Sequence, residues 1–235
     1  MVKNIPKLST TSFIYRDTRI MNVLKLKHLF DEIELLYFES RRKYDQLDDN
    51  ELMLLNKMDM KYVVHLPYDR DLSRIEDFKF MESFISKLDS PKISYYFLHS
   101  IGNDYDAIER LCHLYPSVLV ENTTSSNIFY DLKYTKINYC LDVGHALLSN
   151  ENPINIIKKY KEKIKYIHLH GVHDGRDHKE ITYLDVNLLK FLFDFAIDFN
   201  VGISLELFGL TPLINSLNYL SEVFKRYGYA YHGWN

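Results

Sequence analysis

The 235-residue sequence predicts one (β/α)8 TIM barrel, and three observations lead to this fold class. Eight short runs of β-branched, aliphatic and aromatic residues have the length of strands and are bounded by polar or turn residues. Helical patterns fill the gaps between most of them, as in an α/β domain. Most of the runs are almost continuously apolar, which is typical of parallel strands covered on both faces. An open doubly wound sheet is the alternative architecture. We expect residues 1–235 to form a single domain.

Each element follows from its local pattern. The predicted strands are residues 11–15, 32–38, 61–66, 93–99, 118–121, 137–142, 165–170 and 202–207. The predicted helices are residues 73–88, 104–115, 152–163, 185–199 and 211–227. The first of these helices has apolar residues at a spacing of three and four, so they share one face. Pro153 and Pro212 fit the first turns of two later helices, where a missing N–H costs nothing.

Composition and charge exclude several classes of protein. Apolar residues make up 46% of the chain and charged residues 26%, which is ordinary for a globular domain. The net charge is −3 and the basic residues are dispersed, so we expect no long nucleic acid as a partner. Cys112 and Cys140 cannot form a disulfide framework, and we interpret them as buried thiols in a reducing compartment. Neither a secretory signal nor a membrane span is predicted, so we expect a cytoplasmic protein without membrane contact. The oligomeric state is not predicted.

Potential metal ligands stand at or just beyond the ends of six predicted strands. They are His65, His99, Glu121, Asp142, His168 and Glu206. Side chains at the carboxyl ends of parallel barrel strands converge on one mouth, so these residues are expected to meet there. Imidazole nitrogen combined with carboxylate oxygen suits zinc, manganese or iron(II). The sequence therefore predicts a divalent metal centre at the barrel mouth.

Further candidates lie close to these strand ends. His145 follows Asp142 by three residues, and Gly144 would allow a tight turn between them. His168 and His170 are two residues apart, so both project to the same side of a strand. Asp177 and His178 lie in the segment that follows. The other histidines without a predicted site role are His28, His113 and His232.

This pattern resembles the xylose isomerase-like barrel superfamily, which includes sugar isomerases and epimerases and the endonuclease IV-type apurinic endonucleases. In the isomerase branch, one divalent ion is held by strand-end residues in the order Glu, Asp, His, Glu, which Glu121, Asp142, His168 and Glu206 match. The endonuclease branch adds further ligands, which His65 (in His65-Leu66-Pro67), His99 and His145 match. Its Asp-x-His motif is here Asp177-His178 without a spacer, so His178 is the better match and Asp177 stays open. The resemblance implies two or three zinc, manganese or iron ions.

The resemblance also implies roles for individual residues. Glu121 is a candidate bridge between two ions, and Glu121, Glu206 and His170 are the candidate catalytic residues. His170 could also be a metal ligand, or a packing residue that only lines the site. The candidate substrate-binding residues are Tyr68, Asn122, Arg176 and Lys179. Asn122 could instead hydrogen-bond a neighbouring carboxylate. For Arg176 and Lys179 the alternative is that they are simply solvated.

The full histidine set favours phosphodiester hydrolysis over isomerisation, because an isomerase with one ion has no use for the additional imidazoles. Short loops and a negative charge favour a small-molecule phosphodiester over duplex DNA. Five segments resemble the cobamide-remodelling phosphodiesterases: residues 10–15, 65–67, 121–123, 140–145 and 168–172. This similarity implies cleavage of the nucleotide-loop phosphodiester of a corrinoid. The alternatives are a single-metal sugar isomerase or epimerase, an endonuclease IV-like DNA repair nuclease, and a non-catalytic barrel that binds a ligand or a metal.

Overall fold

A computed structural model describes residues 2–88, 90, 92–99, 105–125 and 137–231. Eight strands form a closed barrel in the order β8-β1-β2-β3-β4-β5-β6-β7, and every neighbouring pair is parallel. They are β1 (Leu8–Thr11), β2 (Glu32–Leu36), β3 (Lys61–His65), β4 (Ile93–His99), β5 (Val118–Glu121), β6 (Tyr139–Asp142), β7 (Ile164–Leu169) and β8 (Gly202–Leu205). The predicted TIM barrel is therefore confirmed, and the open sheet is wrong. That residues 1–235 form a single domain stays a prediction.

Eight α-helices lie among the described residues. They are α1 (Arg19–Leu26), α2 (Asp49–Lys57), α3 (Ile75–Leu88), α4 (Tyr105–Leu114), α5 (Val143–Leu148), α6 (Pro153–Tyr160), α7 (Val186–Phe199) and α8 (Leu210–Tyr227). Short 3-10 helices span Lys43–Asp45 and Ile181–Tyr183. No helix within the described ranges is long and apolar enough to cross a bilayer. Asp104 and His232, which entered the sequence analysis, lie outside those ranges.

The predicted position of the first strand is wrong. Residues 11–15 were predicted from their apolar run, but the strand is Leu8–Thr11. Its polar side chains are fully buried because they bond to the barrel itself. The hydroxyl of Thr10 donates to the carbonyl of Leu205 at 2.9 Å, and that of Thr11 donates to the carbonyl of Leu207 at 2.8 Å. These bonds satisfy the hydroxyls without water and tie β1 to the last strand.

Helices α1, α2 and α5 were not predicted. In α1, the apolar face is interrupted by Asn22, which is fully buried. Its side-chain oxygen accepts from the backbone N–H of Tyr15 at 2.8 Å, and its amide nitrogen donates to the carbonyl of Thr18 at 3.0 Å. Helix α5 has only six residues and begins directly after β6, with Asp142 as its N-cap. The other helices agree with prediction to within about three residues at each end, and Asn152 and Asp185 cap α6 and α7.

Strand register brings the predicted ligands side by side. His99 on β4 pairs with Glu121 on β5, and Asp142 on β6 pairs with His168 on β7. His168 in turn pairs with Ser204 on β8, two residues before Glu206. Below this layer the barrel interior is filled by a cluster of buried side chains: Val63, Phe97, Leu119, Cys140 and Tyr166. The ligand groups therefore sit on a packed floor at the carboxyl end of the barrel.

Two small sheets complete the fold. Lys3–Asn4 pairs in parallel with Tyr229–Ala230, which holds the two ends of the described chain together. Gly171–His173 and Arg176–Lys179 form an antiparallel hairpin after β7, with its turn at Asp174 and Gly175. The hairpin ends next to the barrel mouth and brings Asp177 and His178 there. Cys112 and Cys140 are both buried and unpaired, as predicted.

Candidate metal centre

Four buried groups form the centre of the site. Glu121, Asp142, His168 and Glu206 can each place one ligand atom so that all four atoms lie within 4.8 Å of one another. His168 Nδ1 lies 3.3 Å from Glu121 Oε2 and 3.2 Å from Glu206 Oε2. The strand ends therefore bring three carboxylates around one imidazole, which is a donor set suited to a divalent cation.

Several donor atoms of this centre are left without hydrogen-bond partners. Among the described residues, both carboxylate oxygens of Glu121, Oε2 of Glu206 and both ring nitrogens of His168 are buried and make no hydrogen bond. Buried polar atoms are normally paired, because leaving them unpaired costs free energy. A divalent cation between these atoms would satisfy them. The residues present therefore fit a metal.

Charge in the centre points the same way. Burial opposes ionisation of Glu121 and Glu206, but the positive charge of His168 outweighs it and holds the pKa of both carboxyls well below the usual value. Burial also opposes a charge on His168, yet the surrounding acidic groups raise its pKa well above the ordinary value. A proton on His168 thus supplies the positive charge that a bound cation would supply instead.

A second group of ligands lies on the side of β3 and β4. His65 Nε2 is 3.1 Å from His99 Nε2, and His99 Nε2 is 3.3 Å from Glu121 Oε1. His65 Nδ1 donates to the carbonyl of Leu66 at 3.0 Å, which leaves the lone pair of Nε2 facing His99. Burial, with the neighbouring His99, lowers the pKa of His65 to about 4. His65 is therefore a neutral imidazole at pH 7, the form that binds metals.

A third group lies between α5 and the hairpin. Ligand atoms of His145, His170 and His178 approach within 4.8 Å of one another. His145 Nδ1 is 3.0 Å from the carbonyl of Asn122, so Nε2 is free and faces Asp177 Oδ2 at 3.6 Å. Asp177 Oδ2 is also 3.9 Å from His178 Nε2. Asp177, which the sequence left open, is thus within reach of this group.

His170 belongs to the third group but both of its nitrogens are engaged. Nε2 lies 3.1 Å from Asp142 Oδ2, and Nδ1 accepts the backbone N–H of His178 at 2.9 Å. The ring lies against Gly144, where a Cβ atom would come within 2.0 Å of its Cε1. Three roles were open for His170: catalytic residue, metal ligand, or a packing residue that only lines the site. This geometry favours the packing residue.

Glu34 was not predicted to belong to the site. It lies inside β2 rather than at its end, is fully buried, and places Oε1 3.6 Å from His168 Nε2. Ser204 donates to its other oxygen. An acidic group on this side of the ring can orient a histidine that binds a metal. The signal was present, because Glu32 and Glu34 alternate in an otherwise apolar strand and therefore both face the barrel interior.

The role of Asn122 was left open between binding substrate and hydrogen-bonding a neighbouring carboxylate residue. Its amide holds the backbone of Asp142: the side-chain NH2 donates to the carbonyl of Asp142 at 2.9 Å, and the side-chain oxygen accepts the N–H of Asp142 at 2.8 Å. Asn122 is only 4% exposed. It therefore positions a ligand-bearing residue, and the sequence could not show this because the two residues lie on neighbouring strands.

A cavity of about 320 Å³ opens above the ligands and includes Tyr68, as predicted. The Tyr68 hydroxyl donates to Glu39 at 2.9 Å, and its ring stacks on His99 at 5.9 Å. The cation among the described residues lining this cavity is Arg42. Arg176 is exposed and Lys179 half-buried on the hairpin, outside that lining. The role of Arg176 and Lys179 in substrate binding stays a prediction.

No protein-family model matches the chain, and no curated protein matches it either. Solved structures do match. A D-tagatose 3-epimerase-like protein is 19% identical with a TM-score of 0.67, over 94% of this chain and 97% of that chain. The IOLI protein, solved with a zinc atom bound, is 16% identical with a TM-score of 0.67, over 94% of this chain and 99% of that chain. A family 2 AP endonuclease from Brucella melitensis is 15% identical with a TM-score of 0.62, over 94% of this chain and 99% of that chain.

These likenesses establish the fold. The chain shares the closed barrel architecture of these proteins, so the fold that the sequence resemblance implies is confirmed. Its neighbours are of more than one kind, an epimerase-like protein and an endonuclease among them. A shared barrel does not fix the reaction, because function depends on the site. The resemblance to cobamide-remodelling phosphodiesterases stays a prediction.

Proposed function

We propose that the protein is a metal-dependent phosphodiesterase that acts on a small molecule. One observation carries this proposal: the site holds more ligands than one ion can use. All eight predicted ligands belong to groups whose donor atoms lie within 4.8 Å of one another: His65, His99, Glu121, Asp142, His145, His168, His178 and Glu206. A single zinc, manganese or iron ion accepts about four to six donors. The arrangement supports two or three ions.

Glu121 supports this interpretation because it lies between the groups. Its Oε1 faces His99 at 3.3 Å and His145 at 3.7 Å, whereas Oε2 faces His168 at 3.3 Å. A carboxylate in this position can bridge two cations and offset their repulsion. When bound, clustered divalent ions would neutralise the phosphodiester and make the attacking water more acidic.

The chain's own residues then have separate tasks. Asp142 and His145 are held in place by Asn122, whose amide and carbonyl both bind the Asp142–His145 segment. Glu206 lines the cavity beside His168, and we assign to it the acceptance of a proton from the attacking water, through the carboxylate oxygen that does not hold an ion. We assign His170 to positioning Asp142 and the hairpin, since neither of its nitrogens is free to reach a substrate.

The test is metal content measured with activity. Loaded protein should bind two or more ions per chain, and His65→Ala and His99→Ala should each lower the bound stoichiometry and the rate of hydrolysis of bis(p-nitrophenyl) phosphate by more than about tenfold. His113→Ala is the matched control, because His113 is an exposed histidine on α4. One ion per chain, with both variants as active as the parent, would exclude the proposal.

The substrate we infer is a cobamide, on the strength of the sequence resemblance. Incubation of the metal-loaded protein with adenosylcobalamin should release the lower-ligand riboside, detected by mass. If no riboside is released but other phosphodiesters are hydrolysed, the proposed hydrolase activity stands and the corrinoid is excluded as its substrate.

A single-metal sugar isomerase or epimerase is the second candidate. The observation that favours it is the central group alone, since Glu121, Asp142, His168 and Glu206 can hold one ion and supply carboxylates for proton transfer. An epimerase-like protein is also among the structural neighbours. On this alternative, one exchangeable ion should suffice, and His65→Ala and His99→Ala should preserve the interconversion of keto-sugars.

A further inference from the structure

Three phenylalanines form one wall of the barrel mouth. Phe13 follows β1, Phe38 follows β2 and Phe208 follows β8, and these are neighbouring strands. The ring centroids are 5.7 Å apart for Phe38 and Phe208, 6.1 Å for Phe13 and Phe208, and 6.3 Å for Phe13 and Phe38, each pair in an edge-to-face arrangement. We call these three residues the aromatic wall. Each of them comes from a different loop, so the fold and not one local sequence assembles it.

The aromatic wall directly adjoins the candidate ligands. Phe38 packs edge to face on His65 at 5.6 Å, and Phe208 lies 4.4 Å from the ring of His178. Phe38 and Phe208 line the same cavity of about 320 Å³ as His65 and His178. A molecule that enters this cavity can therefore contact Phe38 and Phe208 while it reaches the ligands.

The aromatic wall is exposed to solvent at Phe13, where a bound molecule could cover it. Phe13 is 56% exposed although it belongs to a cluster of rings. A large apolar side chain exposed at the edge of a polar site can mark a ligand-binding surface. Phenylalanine has no hydrogen-bond donor or acceptor, so this side of the mouth recognises ring faces and apolar edges rather than hydroxyl groups. The polar groups that line the same cavity are the candidate ligands, Tyr68 and Arg42.

We propose that the aromatic wall is a subsite for a planar aromatic group of the substrate, attached next to the phosphodiester. This inference rests on the proposed function and narrows it to substrates that carry an aryl or heteroaryl group. An additional edge-to-face or stacked ring contributes roughly threefold to tenfold in affinity. A dialkyl phosphodiester such as dimethyl phosphate carries no ring that could pack on Phe13.

The test compares two substrates that share a leaving group. Bis(p-nitrophenyl) phosphate and methyl p-nitrophenyl phosphate both release p-nitrophenolate, but only the first keeps an aromatic ring on the phosphorus. We take the ratio of their kcat/KM values, and compare that ratio between the parent and Phe13→Leu, so that intrinsic reactivity cancels. Phe13→Leu should lower the ratio by roughly three- to tenfold, mainly through KM.

Phe199→Leu is the matched control. Phe199 is an exposed ring at the end of α7 that packs on Phe195 at 5.0 Å, outside the aromatic wall. Its substitution should leave the ratio unchanged. Phe208→Leu should repeat the effect of Phe13→Leu, and a thermal melt of each variant checks that the fold persists.

Binding separates this inference from the hydrolase proposal. Calorimetry with the metal-loaded protein should show diphenyl phosphate binding at least about threefold more tightly than dimethyl phosphate, with the preference lost in Phe13→Leu. If no phosphodiester is hydrolysed but this preference holds, the hydrolase is wrong and the ring subsite stands. If Phe13→Leu and Phe208→Leu keep the parent preference in both assays, or if they weaken only a sugar phosphate, the subsite is wrong.

Discussion

Gly144→Ala should disrupt the site through a single atom. The added Cβ would lie 2.0 Å from Cε1 and 2.4 Å from Nδ1 of His170, where ordinary contacts begin at 3.4 Å. The ring must therefore move by roughly 1.4 Å, the difference between 3.4 and 2.0 Å. His170 is fully buried and cannot swing into solvent.

That displacement breaks the hydrogen bond of His170 Nε2 to Asp142 at 3.1 Å and the one that Nδ1 accepts from His178 at 2.9 Å. Two lost bonds cost about 1–1.5 kcal/mol each, and overpacking a buried site costs about 1–3 kcal/mol. We expect a net loss of about 2–4 kcal/mol after relaxation. Because His178 moves with the hairpin, the third group of ligands should lose its ion.

Urea unfolding of the metal-free protein measures the stability, and metal analysis measures the bound ions. Gly144→Ala combined with His170→Ala is the decisive control, because removing the ring removes the clash. The double variant should be more stable than the sum of the two single effects predicts. Strict additivity, or a Gly144→Ala protein with the parent's stability and metal content, would refute the reasoning.

Three further outcomes are expected. Addition of a divalent ion at about a hundred times its Kd should stabilise the fold by about 2.7 kcal/mol, and chelation should reverse the shift in Tm; a melt indifferent to both would argue against a metal. Gly202→Ala places a Cβ 2.3 Å from the ring of Tyr166 and should lower the free energy of unfolding in urea by about 1–3 kcal/mol. The loss should be smaller in a Tyr166→Leu protein, and equal losses with and without Tyr166→Leu would contradict the prediction. Arg70 donates to Asp77 at 2.7 Å and lowers the pKa of that carboxyl, so the pair stabilises the fold above the unfolded pKa of about 4 and ceases to do so as the pH falls. Asp77→Asn should therefore destabilise by about 1 kcal/mol at pH 7 and by less at pH 3, and a difference that grows on acidification would show the sign to be wrong.

Sequence reasoning succeeded where the signal was local. Strands β4 and β5 were predicted to the residue, because each is a largely apolar run that ends in a potential ligand. The rule that parallel strands converge at their carboxyl ends then brought His99 and Glu121 into register. No contact between distant residues was needed for either inference.

It failed where tertiary contacts decide. The hydroxyl-rich sequence of β1 is typical of a loop, and only the acceptors near the last strand explain why it is a buried strand. Buried Asn22 disguises the apolar face of α1 for the same reason, because its partners lie in the preceding loop. Within the site, Glu34 was missed because the strand-end rule does not cover residues inside a strand. The engagement of Asn122 was invisible because it depends on a neighbouring strand.

The hydroxyl contacts of β1 have a consequence for the order of folding. Thr10 bonds to a residue 195 positions later in the chain, and Thr11 to one 196 positions later. During synthesis the amino-terminal end emerges first. The hydroxyls of Thr10 and Thr11 therefore stay hydrated until β8 and the residues after it have left the ribosome. Seven strands can assemble before the gap closes, and the open edges of β1 and β7 are the surfaces that a nascent chain must keep from other chains.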